Sequence, residues 1–208
     1  MPSQPITKYQ FKKLLKLTRK EKNKFLARRD ILYYKILWKL GFRVSEGRLI
    51  KISEINFHDK TIFIPAENNK ERNSDYFPIT FFLRWQIKRY VKKMPFKSQW
   101  LFPRLNQRKQ KDSPVSLFQM ERVFSERMRE LGFLHESSPY KDGKRKKHNL
   151  NLYSFRKRFG TAVYRKTHCP KTTASMLRQT DPELKAVWSY VFMAEKEQRR
   201  GILNKISF

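Results

Sequence analysis

The spacing of apolar residues changes twice along this chain, and that change limits the folds open to it. Ile31, Tyr34, Leu37 and Trp38 recur at three- and four-residue intervals, the pattern of a helix burying one face. Gly41 stops that helix as a residue free to adopt positive φ. Upstream, Thr18-Arg19-Lys20-Glu21 has the form of a capping box, so the sequence predicts that the helix begins there. The period then shortens. Ile50-Lys51-Ile52, Glu54-Ile55-Asn56-Phe57 and Thr61-Ile62-Phe63-Ile64 alternate or run β-branched around the turn His58-Asp59-Lys60. Asp75-Tyr76-Phe77-Pro78-Ile79 makes a third short strand, which Pro78 puts at a sheet edge or a strand end. The polar loop 67–74 before it carries Lys70 near a hairpin tip.

Helical spacing returns with Leu83, Ile87, Tyr90 and Val91, and again from Ser116 through Met120, Phe124 and Leu131 to Gly132. A basic loop at 141–147 precedes a helix near 152–166 that buries Leu152, Phe155, Phe159 and Val163. Short helices follow at about 171–179 and 183–198. Leu184, Val187, Trp188 and Val191 are the expected buried stripe of the last one, which leaves Tyr190 pointing about 120° from its middle. This order predicts a mainly helical α+β domain with a small three-stranded antiparallel sheet, residues 1–208 forming one domain.

The charge narrows the function. Against 18 Asp+Glu stand 48 Lys+Arg, a formal net charge of +30. Self-repulsion on that scale opposes folding, and a polyanionic partner is the economical explanation. Aromatic residues make up 14%, far from the composition of a disordered basic tail. No run approaches the roughly 18 apolar residues of a membrane span. Met1-Pro2-Ser3-Gln4-Pro5 lacks the pattern of a secretory signal. Cys169 stands alone, and His58, His135, His148 and His168 are too scattered for a local metal motif. These features argue against a secreted scaffold, a membrane protein and a zinc protein. On charge, Lys144, Arg145, Lys146, Lys147 and Arg158 are expected on the nucleic-acid side.

Leu40-Gly41-Phe42-Arg43-Val44-Ser45-Glu46 resembles the Gly-x-Arg-Ile/Val-Ser-Glu box of the tyrosine recombinase (phage integrase) family. In that family an active-site lysine sits on a sheet hairpin shortly before a proline. Lys70 precedes Pro78 by eight residues, with Lys51, Lys60 and Arg72 as competitors. Tyr153-Ser154-Phe155-Arg156 resembles the family's His-x-x-Arg box, with Tyr153 in the place of histidine. Met176-Leu177-Arg178-Gln179 resembles its Leu-Gly-His element, with Gln179 where the second histidine stands. Tyr190 follows Gln179 by eleven residues, two more than the family spacing, and takes the place of the nucleophile, with Tyr164 the nearest alternative. The resemblance runs from about Thr7 to the C-terminus and covers the family's catalytic domain alone; the N-terminal core-binding domain is expected to be absent.

The resemblance implies that Tyr190 attacks the scissile phosphate, giving a 3′-phosphotyrosyl link and a free 5′-hydroxyl. Arg43 and Arg156 would clamp the non-bridging oxygens, because planar guanidinium groups match phosphate bidentately. Lys70 would protonate the leaving 5′-oxygen, Tyr153 and Gln179 would donate hydrogen bonds, and Glu46 would orient an arginine. The implied partner is double-stranded DNA, with no cofactor or metal and an intracellular location with that DNA. A homotetramer on DNA and a monomer or weak oligomer alone are implied, the C-terminal tail docking on a neighbouring subunit or packing on its own domain. Two other functions remain open at this point. One is a catalytically inactive DNA-binding relative, favoured by Tyr153, Gln179 and the longer spacing to Tyr190. The other is type IB topoisomerase-like relaxation, which uses the same residue types without pairing two sites.

Overall fold

The computed structural model describes residues 3–105, 112–134, 140–141, 144–145, 150–179, 183–184, 187–195 and 198. The first helix, α1 (Lys8–Thr18), is opened by a capping box. In it the Gln10 amide donates to the Thr7 hydroxyl at 3.2 Å and the Thr7 amide donates to the Gln10 side chain at 2.9 Å. Thr18, expected to begin a helix, ends this one: it is buried, and its hydroxyl donates to the Leu14 carbonyl at 2.7 Å. The next helix, α2 (Lys24–Leu40), starts instead at Asn23, whose side-chain oxygen accepts from the Phe25 and Leu26 amides.

Helix α2 is enclosed far beyond a single stripe, with Leu32, Tyr33, Tyr34, Ile36 and Leu37 all buried. A helix apolar on most sides belongs in the core. It is contacted by α1, α3 (Val44–Arg48), α4 (Phe81–Lys92) and α6 (Tyr153–Thr167). Two of its charges, Arg29 and Asp30, are shut in as well. Asp30 accepts from Arg29 at 3.0 Å and from Arg127 of α5 (Leu117–Glu130) at 2.7 Å, while Arg127 also donates to the Tyr34 hydroxyl at 3.2 Å. Buried charges persist only when paired in this way. Beside them the Phe155 ring meets Tyr34 at 5.9 Å and Phe124 at 5.8 Å between centroids, joining α2, α5 and α6.

Strands β1 (Ile55–Asn56), β2 (Thr61–Ile64) and β3 (Asp75–Pro78) form an antiparallel sheet in sequence order, with Ile62 opposite both Ile55 and Phe77. Ile62, Ile64 and Phe77 face the core. The segment Ile50-Lys51-Ile52 is not a strand: Lys51 makes an isolated bridge to Trp100, and Ile52–Glu54 is a single 3₁₀ turn. The basic segment expected as a loop contains a short ribbon, β4 (Tyr140–Lys141) antiparallel to β5 (Lys144–Arg145). Helix α6 is followed by α7 (Pro170–Met176) and by α8, residues 187–195. The architecture is thus the mainly helical α+β arrangement with a three-stranded antiparallel sheet that the sequence predicts.

One residue fixes how α2 meets α6. Gly41 ends α2 with φ +61° and donates its amide to the Leu37 carbonyl at 3.0 Å. A Cβ on Gly41 would lie 2.3 Å from Cδ1 of Phe159. The left-handed turn and the close approach both require glycine here. Gly41→Ala should therefore lower the unfolding free energy by about 3 kcal/mol, combining αL strain with overpacking. Urea unfolding measures it, and a loss no larger than that of an ordinary surface substitution would contradict the packing argument.

Candidate active site

Immediately after Gly41 the chain presents Arg43 at the start of α3. Glu46 reaches back to it, accepting from the Arg43 amide at 2.7 Å and from Nη1 at 2.8 Å. The loop between β2 and β3 holds the same guanidinium from the other side. Nη1 donates to the Asn69 side chain at 3.2 Å, and Nη2 donates to Glu71 at 2.8 Å. Glu46 itself is buried and also pairs with Nη2 of Arg178. Burial acts to raise the Glu46 carboxyl, but the Arg178 charge and the Arg43 hydrogen bonds outweigh it and hold the group below the usual carboxylate range. Glu46 is therefore ionised and bridges two arginines.

Arg156, on α6, is 1% exposed. Its Nη1 donates to the Gly41 carbonyl at 2.8 Å and its Nη2 to the Leu177 carbonyl. One guanidinium thus ties the end of α2 to the end of α7. Burial, followed by the nearby charge of Arg43, pulls its pKa below the ordinary guanidinium value. The two arginines selected from sequence are close enough to feel each other's charge.

Tyr190 completes the cluster from α8. Its ring lies against α6 at Gly160, where a Cβ would be 3.0 Å from Cγ of the phenol, and its hydroxyl is 3.2 Å from that of Tyr153 at the start of α6. The expected facing of α8 is corrected here. Tyr190 is buried on the stripe with Val187, Val191 and Ala194, while Trp188 is 54% exposed. The reason is local: the missing side chain at Gly160 leaves room for a ring, and Tyr153 gives the hydroxyl a partner, so a tyrosine is buried without an orphaned polar group. Burial, then Tyr153, push the Tyr190 phenol above its ordinary pKa, against the lowering pull of Arg156.

The remaining selected residues are placed as follows. Lys70 is exposed in the β2–β3 loop, outside the cluster, although its neighbours Asn69 and Glu71 hold Arg43. Gln179 is half-buried, its side-chain oxygen lacking a hydrogen-bond partner among the described residues, beside a cleft of about 190 Å³ that Asn69, Glu71, Asp75 and Arg178 also line. Tyr164 lies edge-on to His168, with ring centroids 6.0 Å apart. Arg158 is half-buried, its guanidinium 3.9 Å from the centroid of the Trp38 ring and donating to the Trp38 carbonyl at 3.3 Å. Lys144 and Arg145 form β5; Lys146 and Lys147, and the tail from 199, lie outside the described residues. Two participants were not anticipated. Glu71 sits in a polar loop whose charges look solvated in sequence, and Arg178 occupies the place of glycine in the Leu-Gly-His element.

Among the described residues no group of three or more His, Cys, Asp or Glu is placed to hold a metal ion, and no helix is long and apolar enough to cross a membrane. What the cluster offers is three guanidinium groups, two carboxylates and a buried phenol, an arrangement suited to an anion that can displace a carboxylate.

The fold is of the tyrosine recombinase catalytic-domain type. Residues 4–181 match the profile of the Phage integrase family, and the chain belongs to that family. Its fold is similar to that of the XerH site-specific recombinase bound to palindromic difH substrate in a post-cleavage complex, with TM-score 0.69 and 18% identity, over 97% of this chain and 53% of XerH. XerA recombinase superposes with TM-score 0.70 at 14% identity, over 100% of this chain and 65% of XerA. A lambda integrase dimer bound to a COC′ core site gives 0.64 at 14% identity, over 91% of this chain and 48% of that one. The chain thus spans about half to two thirds of the length of these proteins. No curated protein sequence matches it.

Buried phenols set an alkaline limit on the fold. Burial foremost raises Tyr33, Tyr34, Tyr90 and Tyr190 above the ordinary 10.0. Folding therefore favours the protonated phenols; their contribution is intact below pH about 10 and is lost as pH rises through the folded values. Stability should fall above pH about 10, and in Tyr190→Phe the decline should be shallower by about 1.4 kcal/mol per pH unit. Denaturation as a function of pH with absorbance at 295 nm tests this, and equal slopes would contradict it.

Proposed function

We propose that the chain is the catalytic domain of a DNA strand-exchange enzyme that cleaves and rejoins duplex DNA through a covalent phosphotyrosyl link. The observation that carries this reading is the convergence of Arg43, Arg156 and Tyr190, drawn from three separated stretches of the sequence, around one buried network. The family membership and the DNA complexes of XerH and lambda integrase support duplex DNA as the partner.

In this reading the phosphate enters between Arg43 and Arg156 and exchanges places with the Glu71 carboxylate, since both compete for the same Nη2 edge. The two guanidinium groups stabilise the charge that grows on the non-bridging oxygens. The Tyr190 oxygen attacks phosphorus as its proton passes through the exposed Tyr153 hydroxyl, 3.2 Å away, to solvent, and the 5′-oxygen departs with the bonding pair and is protonated by Lys70. Lys70 reaches the site when displacement of Glu71 moves the loop they share. Tyr153 and Gln179 donate to the phosphate in place of histidines. The basic residues Lys144 to Lys147 and Arg158 contribute to DNA binding through their charge, and the active assembly is a homotetramer on DNA.

A second reading, a DNA-binding relative without cleavage, is favoured by the exposure of Lys70 and the burial of Tyr190. The two part on one experiment. In EDTA, duplexes nicked next to candidate scissile positions should trap a protein–DNA adduct stable to denaturing electrophoresis. Tyr190→Phe should abolish the adduct while leaving duplex affinity within a few-fold. An adduct that persists moves the nucleophile elsewhere, and no adduct on any duplex favours the second reading. Glu71→Gln should tighten duplex binding several-fold at constant salt, because the phosphate no longer displaces a charged competitor.

A further inference from the structure

Arg178 is an expensive residue at its position. It has φ +51°, a left-handed conformation that an arginine adopts only under strain and that glycine adopts freely. Its side chain is buried, with the guanidinium carbon 4.6 Å from the centroid of the Phe42 ring and 5.1 Å from that of Phe77. Nη2 pairs with Glu46, but Nε and Nη1 are buried without a hydrogen-bond partner among the described residues. Folding alone would be served better by other residues. Glycine would relieve the backbone, an apolar side chain would suit two phenyl rings, and replacing a buried ion pair by apolar groups is often neutral or stabilising.

The function of Arg178 lies in what it does to Glu46. That carboxylate is divided, one oxygen taking Nη1 of Arg43 and the other taking the Arg43 amide and Arg178. Without Arg178, a buried Glu46 would face Arg43 as its sole ionic partner within the trio, and the pair would be neutral. With Arg178 the trio carries one net positive charge, and that charge is expressed at the outward Nη2 edge of Arg43, where Glu71 now sits.

We propose that Arg178 is a positioning residue that offsets the charge of Glu46, so that Arg43 is held in place by a carboxylate and still presents a positive edge to phosphate. This rests on the reading of Arg43 as a phosphate ligand. It needs neither cleavage nor Tyr190, so binding to intact DNA tests it separately from the adduct experiment.

The probe is a fluorescently labelled duplex of arbitrary sequence, and the readout is the slope of log affinity against log salt. Each phosphate contact contributes about 0.9 to that slope. Arg43→Ala in the otherwise unchanged protein should lower its magnitude by about 0.9. In Arg178→Gly, which also relieves the backbone, the same Arg43→Ala change should lower it by less than half as much. Adding Glu46→Gln to Arg178→Gly should restore the Arg43 contribution, because it returns the trio to one net charge. Arg178→Lys should keep it. A purely structural role would change melting temperature and overall affinity without this rescue. An Arg43 contribution that survives Arg178→Gly undiminished, or that Glu46→Gln fails to restore, overturns the proposal. Absence of any Arg43 contribution in the parent protein overturns the phosphate reading on which it rests. If Arg178→Gly does not fold, Arg178→Met carries the same cycle, and failure of both to fold assigns Arg178 to stability and overturns the proposal.

Discussion

The approach of Gly41 to Phe159 is the contact on which the rest of the site depends. It sets the distance between α2 and α6, and it leaves the Gly41 carbonyl free to accept from Arg156 across the join. Two residues later the same chain delivers Arg43. A side chain at position 41 would push the helices apart and with them the two guanidinium groups, so helix packing and the placement of the arginines are one constraint. Arg156 shows the same economy at the other end, since its second hydrogen bond holds the last turn of α7, where Leu177 meets Gly160 and Arg178 begins.

The electrostatics follow from burying like charges together. Three arginines share a space from which water is largely excluded, and Glu46 and Glu71 make that tolerable. The two acids are not equivalent. Glu46 is buried, on the short helix beside the arginines it holds, and belongs to the scaffold. Glu71 is partly exposed on a loop and pairs with the outer edge of Arg43. One acid is built in and the other sits at the more exposed edge of the cluster.

Much of this was legible in sequence, and the failures have physical reasons. The helix–sheet–helix order, the end of α2 at Gly41 and the pairing of β2 with β3 follow from apolar period and turn residues, which act locally. Two capping signals stand close together: the one at Thr7–Gln10 opens α1, while Thr18, which carries the same type of signal, uses its hydroxyl inside the preceding turn. The facing of Tyr190 was misread because its burial depends on Gly160, thirty residues away in sequence. Trp188 falls on the apolar stripe by its spacing from Leu184 and Val191, yet it is exposed. Arg43, Glu46 and Arg156 stood out as a pattern. Arg178 and Glu71 did not, because their roles exist only once distant segments are brought together.

The six residues from Gly41 to Glu46 have a consequence for how such a chain decays over generations. They include a helix stop, a hydrogen-bond anchor, the ring of Phe42 beneath Arg178, and Arg43 with its own counter-ion. Drift in this stretch strikes folding and the arginine cluster at once, so selection for a folded protein alone would preserve it. The phenolic hydroxyl of Tyr190, by contrast, can be lost to phenylalanine with the ring still seated against Gly160. A lineage released from its chemistry would therefore shed that one oxygen long before it lost the arginine cradle.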